Sequence, residues 1–192
     1  MLVTDRSPEL HDCQRSRVVI VDVQDKLVAA MARGDELVKN VRWLADAAKL
    51  CGVPIQITEQ YPQGLGPTVS TLQTFATDRP SKKRFSAVEA LALPSAVEDS
   101  TGRDQIILAG METHVCVLQT AFDLLALGYH VTIAADAVCS RRETDHQIAI
   151  QRLRDSGATV ATIESIAFEW LETADAEEFR ALSALAKNRP VN

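Results

Sequence analysis

Three side chains with chemical potential stand in or just beyond runs that read as strands. Asp22 follows "RVVIV", a lysine pair at Lys82 and Lys83 sits in "SKKRFS", and Cys116 comes six residues after "QIILAG". Spacing puts Cys116 in the first turn of a helix. Unpaired backbone N–H groups and the positive end of the helix dipole converge at such a turn. Both favour thiolate over thiol. A nearby lysine lowers the thiol pKa further, and a carboxylate takes or delivers the proton. The same N–H groups can hold a developing oxyanion. Cysteine, carboxylate and lysine on one rim describe an acyl-transfer site. Taken singly, each residue also reads as packing. Cys116 is then a small hydrophobe between helix and sheet, Asp22 a loop cap and "KKR" a solvated cluster.

A parallel sheet is what would bring them together. Apolar β-branched runs predict strands at Arg17–Gln24, Val53–Thr58, Ser81–Ser86, Asp104–Gly110, Tyr129–Asp136 and Ala158–Ile163. Helical spacing over 35–52 puts Leu37, Val38, Val41, Leu44, Ala45 and Ala48 on one face. Further helices are predicted over 113–127, over 144–157 with Ile148 and Leu153 toward the core, and over 174–187. "AVEALA" and "SAVEDS", on either side of Pro94, read as short helical pieces. Strands alternating with helices imply right-handed crossovers. The expected fold is α/β, a three-layer sandwich with a mostly parallel six-stranded sheet and helices on both faces. One domain is expected over 1–192, with its core at about 17–170. Ligands of such sheets sit beyond the C-terminal strand ends.

The totals exclude several classes. A formal net charge of −6 argues against a nucleic-acid binder and against a polybasic membrane-surface protein. No apolar run approaches a bilayer span. The N-terminal stretch has charges and a proline but no apolar core, so no secretory signal is expected. The four cysteines, at 13, 51, 116 and 139, form no CxxC pair. A reducing, cytoplasmic setting with free thiols is the expectation.

With these residues in place, the chain resembles the isochorismatase-like cysteine hydrolase family, from about Arg17 to Trp170. "VDVQ" is similar to its hydrophobic-Asp-x-Gln opening, "KKRFSAV" to its Lys-x-x-Tyr-Ser-Ala-Phe segment, and "GMETHVCV" to its Gly-x-x-Thr-x-x-Cys-Val signature. "TEQYPQGLGPTV" resembles a subgroup of isochorismatase-domain-containing proteins. The resemblance implies a catalytic triad of Asp22, Lys82 and Cys116. Lys82 is preferred to Lys83 because it precedes Phe85 by three residues, as the family lysine precedes its aromatic. Alternation also sends the two lysines to opposite faces. The resemblance further implies a cis Met111–Glu112 peptide, an oxyanion hole at Glu112 and Cys116, and a supporting hydroxyl from Thr113. Gln24, Glu59, Gln60, Tyr61 and Phe85 are candidates for contacts with substrate.

Metal-dependent nicotinamidases of this family carry an aspartate and two histidines before the lysine. "ITEQYPQGLGPT" has no histidine, so neither a metal nor nicotinamidase activity is expected, and no cofactor is implied. The expected activity is hydrolysis of an amide-like or other acyl bond of a small molecule through a thioester. Vinyl-ether hydrolysis of the isochorismate type and a non-catalytic scaffold are the alternatives. A homodimer or homotetramer is expected. His114 reads as a surface or capping residue. Arg84 reads either as an ion-pair partner or as a site for an acidic substrate.

Overall fold

The structure is a computed structural model that describes residues 6–189. In chain order the elements are β1 (Ser16–Val21), α1 (Asp25–Ala29), α2 (Gly34–Leu50), β2 (Ile55–Gln60) and α3 (Pro62–Leu65). A 3-10 turn (Ser70–Phe75), β3 (Ser81–Lys82) and β4 (Gln105–Met111) come next. A π-helical turn (Thr113–Val117) then runs into α4 (Leu118–Ala126). The chain continues through β5 (His130–Cys139), α5 (Glu143–Asp155), β6 (Thr159–Ala161), α6 (Ile163–Leu171) and α7 (Phe179–Lys187). The six strands lie in the order β3-β2-β1-β4-β5-β6, and every neighbouring pair is parallel.

β1 and β4 are central and buried on both faces, which is why both are almost unbroken apolar runs. Alternation divides the core in two. Val18 and Ile20 pack with Leu37, Val41 and Leu44 of α2 and with Ile166 and Trp170 of α6. Val19 and Val21 pack on the opposite face with Val117, Ala121 and Leu124, and with Ala149 and Leu153 of α5. The sheet therefore carries helices on both sides. Where β1 meets β4, Gly110 pairs with Val21. A Cβ at Gly110 would stand 2.1 Å from the Val21 carbonyl oxygen, and the glycine φ is +117°. No other residue fits.

Several elements depart from expectation. β3 stops after Lys82 because the next residues bend to aim carbonyls back at the lysine ammonium. The helix expected over 113–127 opens as a π-turn, where Val117 N–H reaches back to the Glu112 carbonyl at 3.2 Å. The segments around Pro94 form turns rather than helical pieces, and the left-handed Ala92 interrupts the first of them. Ile148 is 54% exposed rather than in the core, so Ala149 and Leu153 carry the buried face of α5. α6 is an element that the apolar pattern does not predict, because that pattern assigns Ile163 to the last strand. Thr162 instead caps the helix, its hydroxyl accepting from Ser165 N–H at 3.3 Å. α7 begins at Phe179, later than expected.

Candidate active site

Asp22 leaves the end of β1 in a left-handed conformation, φ +54°, uncommon for a residue with a side chain. Its carboxylate is fully buried. Thr58 Oγ1 donates to Oδ1 at 2.8 Å, and Lys82 Nζ donates to Oδ2 at 2.6 Å. The lysine ammonium also donates to Gln60 Oε1 at 2.7 Å and to the Phe85 carbonyl at 2.8 Å. Every polar atom of this ion pair that the fold desolvates is thus given a partner. Only such saturation makes a buried ion pair tolerable. Lys83 is exposed, so alternation selects Lys82.

Cys116 arrives from the other side, on the π-turn beyond β4. Its thiol is buried and close enough to Asp22 and Lys82 to feel both charges. Three groups far apart in sequence therefore meet at the C-terminal edge of β1, β3 and β4. Burial works against the thiolate that the helix terminus favours. Burial pushes the thiol up to about 12, with the Asp22 charge adding to the rise and Lys82 opposing it. Desolvation outweighs the helix-terminus effect on which the expectation rested. Burial also pushes the Asp22 carboxyl up, against the pull of Lys82, Thr58 and Cys116.

The Met111–Glu112 peptide is cis. The turn beyond it is tied down residue by residue. Glu112 Oε2 accepts from Arg141 N–H at 3.1 Å and from its guanidinium at 3.0 Å. Thr113, fully buried, meets His146 Nδ1 at 3.0 Å. His114 is half-buried, with Nδ1 2.9 Å from Ser140 Oγ. Thr120 Oγ1 donates to the Cys116 carbonyl at 2.6 Å and accepts from Ala87 N–H at 3.0 Å.

The remaining candidates divide. Gln60 joins the ion pair directly. Glu59 does not, because strand alternation turns Thr58 and Gln60 toward the pair and Glu59 away from it. Its carboxylate accepts from Thr68 N–H and Oγ1, both at 2.8 Å, and faces Arg79 at 3.6 Å. Gln24 is fully buried and works as a clamp. Its amide accepts from Gln60 N–H at 2.7 Å and donates to the carbonyls of Gln60 (3.1 Å) and Gly66 (2.6 Å). The rings of Tyr61 and Phe85 are each half exposed, while Phe85 contributes its carbonyl to Lys82. Arg84 pairs with Glu89 at 3.1 Å on the surface. Thr58, Thr120, Ser140, Arg141 and His146 do not stand out in the sequence. Thr58 alone has a local signal, two residues before Gln60 on the same strand face.

Gln24→Leu is expected to lower the unfolding free energy by about 1–3 kcal/mol, since Gln60 N–H loses its acceptor inside the fold. A urea midpoint equal to that of the wild type would contradict the clamp.

Residues 16–165 match the isochorismatase domain model. The chain belongs to the isochorismatase family. Isochorismatase domain-containing protein 2A of Mus musculus is 36% identical over 177 residues, covering 91% of this chain and 84% of the mouse protein. A solved Caenorhabditis elegans structure described as MAR1 ribonuclease superposes with a TM-score of 0.84 at 33% identity, covering 94% of each chain. An Escherichia coli protein, the YcaC gene product, is described as an octameric hydrolase of unknown specificity. It superposes with a TM-score of 0.83 at 26% identity, covering 95% of this chain and 92% of that one. Among the described residues, the isochorismatase fold of this chain groups no three His, Cys, Asp or Glu side chains in a metal-binding arrangement.

Proposed function

We propose that the protein is a cysteine hydrolase acting on an amide-like or other acyl bond of a small molecule. The observation that carries this reading is the buried Asp22–Lys82 ion pair, with an N···O distance of 2.6 Å, beside the buried Cys116 thiol. Asp22 takes the thiol proton as Sγ bonds to the carbonyl carbon, and the carbonyl electron pair moves to oxygen. N–H groups of Glu112 and Cys116 hold that oxyanion. Collapse breaks the C–N bond, and Asp22 gives its proton to the departing amine. Water then adds to the thioester with Asp22 again as base, and breaking the C–S bond restores the thiol.

The charge balance supports this route. Losing the thiol proton to water would leave one more negative charge in a buried site. Passing it to Asp22 leaves the net charge of the three groups unchanged. Burial therefore opposes free ionisation far more than it opposes the internal transfer. Lys82 keeps Asp22 oriented throughout and compensates the charge wherever it resides.

The test is a panel of amides, ureido acids, isochorismate and an RNA oligonucleotide, run on the wild type and on Cys116→Ala. Turnover of an amide or ureido acid that disappears in the variant is expected. Isochorismate turnover surviving the substitution would overturn the covalent mechanism. RNA cleavage would favour the activity named for the C. elegans relative, against which the net charge of −6 argues. We also propose a homo-oligomer, a dimer or tetramer; the octamer described for the E. coli relative supports self-association but not that size. Light scattering at micromolar concentration checks this, and a strict monomer would refute it.

A further inference from the structure

The turn that carries Cys116 is braced by one continuous stretch of chain. Residues 112, 113 and 114 each bond a different residue between Ser140 and His146. The backbone just before each stretch is paired as well, Met111 with Cys139 at the ends of β4 and β5. Within the turn, Val115 N–H and Val117 N–H both return to the Glu112 carbonyl, at 3.0 and 3.2 Å. The position of Cys116 between those two donors is thereby linked to how Glu112 and Thr113 are held.

Of the three ties, the one through Thr113 is the most buried. Thr113 has no exposure, and His146 is half-buried. Arg141 is exposed, and His114 is itself half-buried. Resting on the nucleophile role of Cys116 given above, we propose that His146, acting through the Thr113 hydroxyl, is a positioning residue for the reaction. Its ring fixes the first residue of the π-turn, and so fixes the direction in which the sulfur and the Glu112 N–H are presented. The residue itself touches neither Asp22 nor Lys82. Arg141, on Glu112, acts in the same sense from the rim.

Alkylation of Cys116 by iodoacetamide, with peptide-resolved mass spectrometry as the readout, reports the presentation of the sulfur without a known substrate. His146→Ala is expected to slow it by about 10- to 100-fold, the scale on which small misplacements of a reacting atom act. His146→Asn places an amide where Nδ1 stands and can either accept from or donate to Thr113. It is expected to restore the wild-type rate to within about twofold, the ordinary scatter of independent effects. Thr113→Val keeps the side-chain shape and removes the hydroxyl, so it reads the same tie if the histidine variant folds poorly. Combined with His146→Ala, it is expected to slow labelling no further than either change alone. Equal slowing by Ala and Asn, wild-type labelling in His146→Ala or Thr113→Val, or additive losses in the double variant would overturn the proposal. An Asp22→Asn control separates the two levels. If wild-type labelling of Cys116 is unaffected by Asp22→Asn, the nucleophile reading fails and takes the positioning role with it. If labelling depends on Asp22 but not on His146, only the positioning role fails.

Discussion

Lys82→Met destabilises the protein by about 3–5 kcal/mol, the usual consequence of stranding one member of a buried ion pair. For a chain of this size that corresponds to a melting temperature lower by about 6–20 °C. The reason lies in the surroundings of Asp22. The carboxylate is fully buried, and Lys82 is its cationic partner at 2.6 Å. Thr58 and Cys116, both neutral donors, cannot offset the desolvation of a full charge. Adding Asp22→Asn to Lys82→Met removes the stranded charge and is expected to recover most of the lost stability while leaving the protein inactive. That crossing of signs, in which a second loss at the site repairs the fold, distinguishes an electrostatic defect from a packing defect. Thermal unfolding of the two single variants and the double variant checks it. A Lys82→Met protein melting with the wild type would refute it.

Cys116→Ala has the opposite profile. Turnover of whichever panel compound proves to be a substrate falls by about a thousandfold or more, as when a covalent nucleophile is deleted. The fold persists, with stability within about 1 kcal/mol of the wild type, because a small group in a packed helix–sheet interface gives way to one of similar size. An acyl adduct of the wild type, trapped by acid quench and found by mass on the peptide holding Cys116, is expected to be absent from the variant. Retained turnover in Cys116→Ala would assign the chemistry to Asp22 alone.

The parallel sheet and the shared rim of Asp22, Lys82 and Cys116 were legible, because Asp22 ends one strand run, Lys82 lies in another and Cys116 follows a third; the spatial order of the strands was not. "RVVIV" and "QIILAG" are unbroken because β1 and β4 are central, and a polar residue that ends such a run must lie at the sheet edge. The family resemblance, through the spacing to Phe85, singled out Lys82, while alternation said only that Lys82 and Lys83 face opposite ways. The ionisation of Cys116 was not legible. A helix terminus is a local feature that a sequence displays, whereas the burial that outweighs it depends on β1, β3 and α4 closing together. The braces of the turn were hidden for a related reason. Ser140, Arg141 and His146 lie just past β5, and nothing in their spacing says that β5 ends beside Met111. Glu59 is the most conspicuous polar residue of its strand, yet its neighbours Thr58 and Gln60 hold the face toward the ion pair. α6 was lost to a single residue, Ile163, that suits a strand end as well as a helix start.

The close approach of Gly110 to the Val21 carbonyl has a bearing on how this scaffold diversifies. The strand ends from which Asp22 and the Cys116 turn depart lie on adjoining backbones with no side chain between them, and a side chain at position 110 would force those two strands apart. If the reaction proposed above is right, variation in what the protein accepts is expected on the outer flank formed by β2, β3 and the segments around Tyr61 and Phe85. An engineer seeking a new substrate would leave the two central strands untouched and diversify that flank.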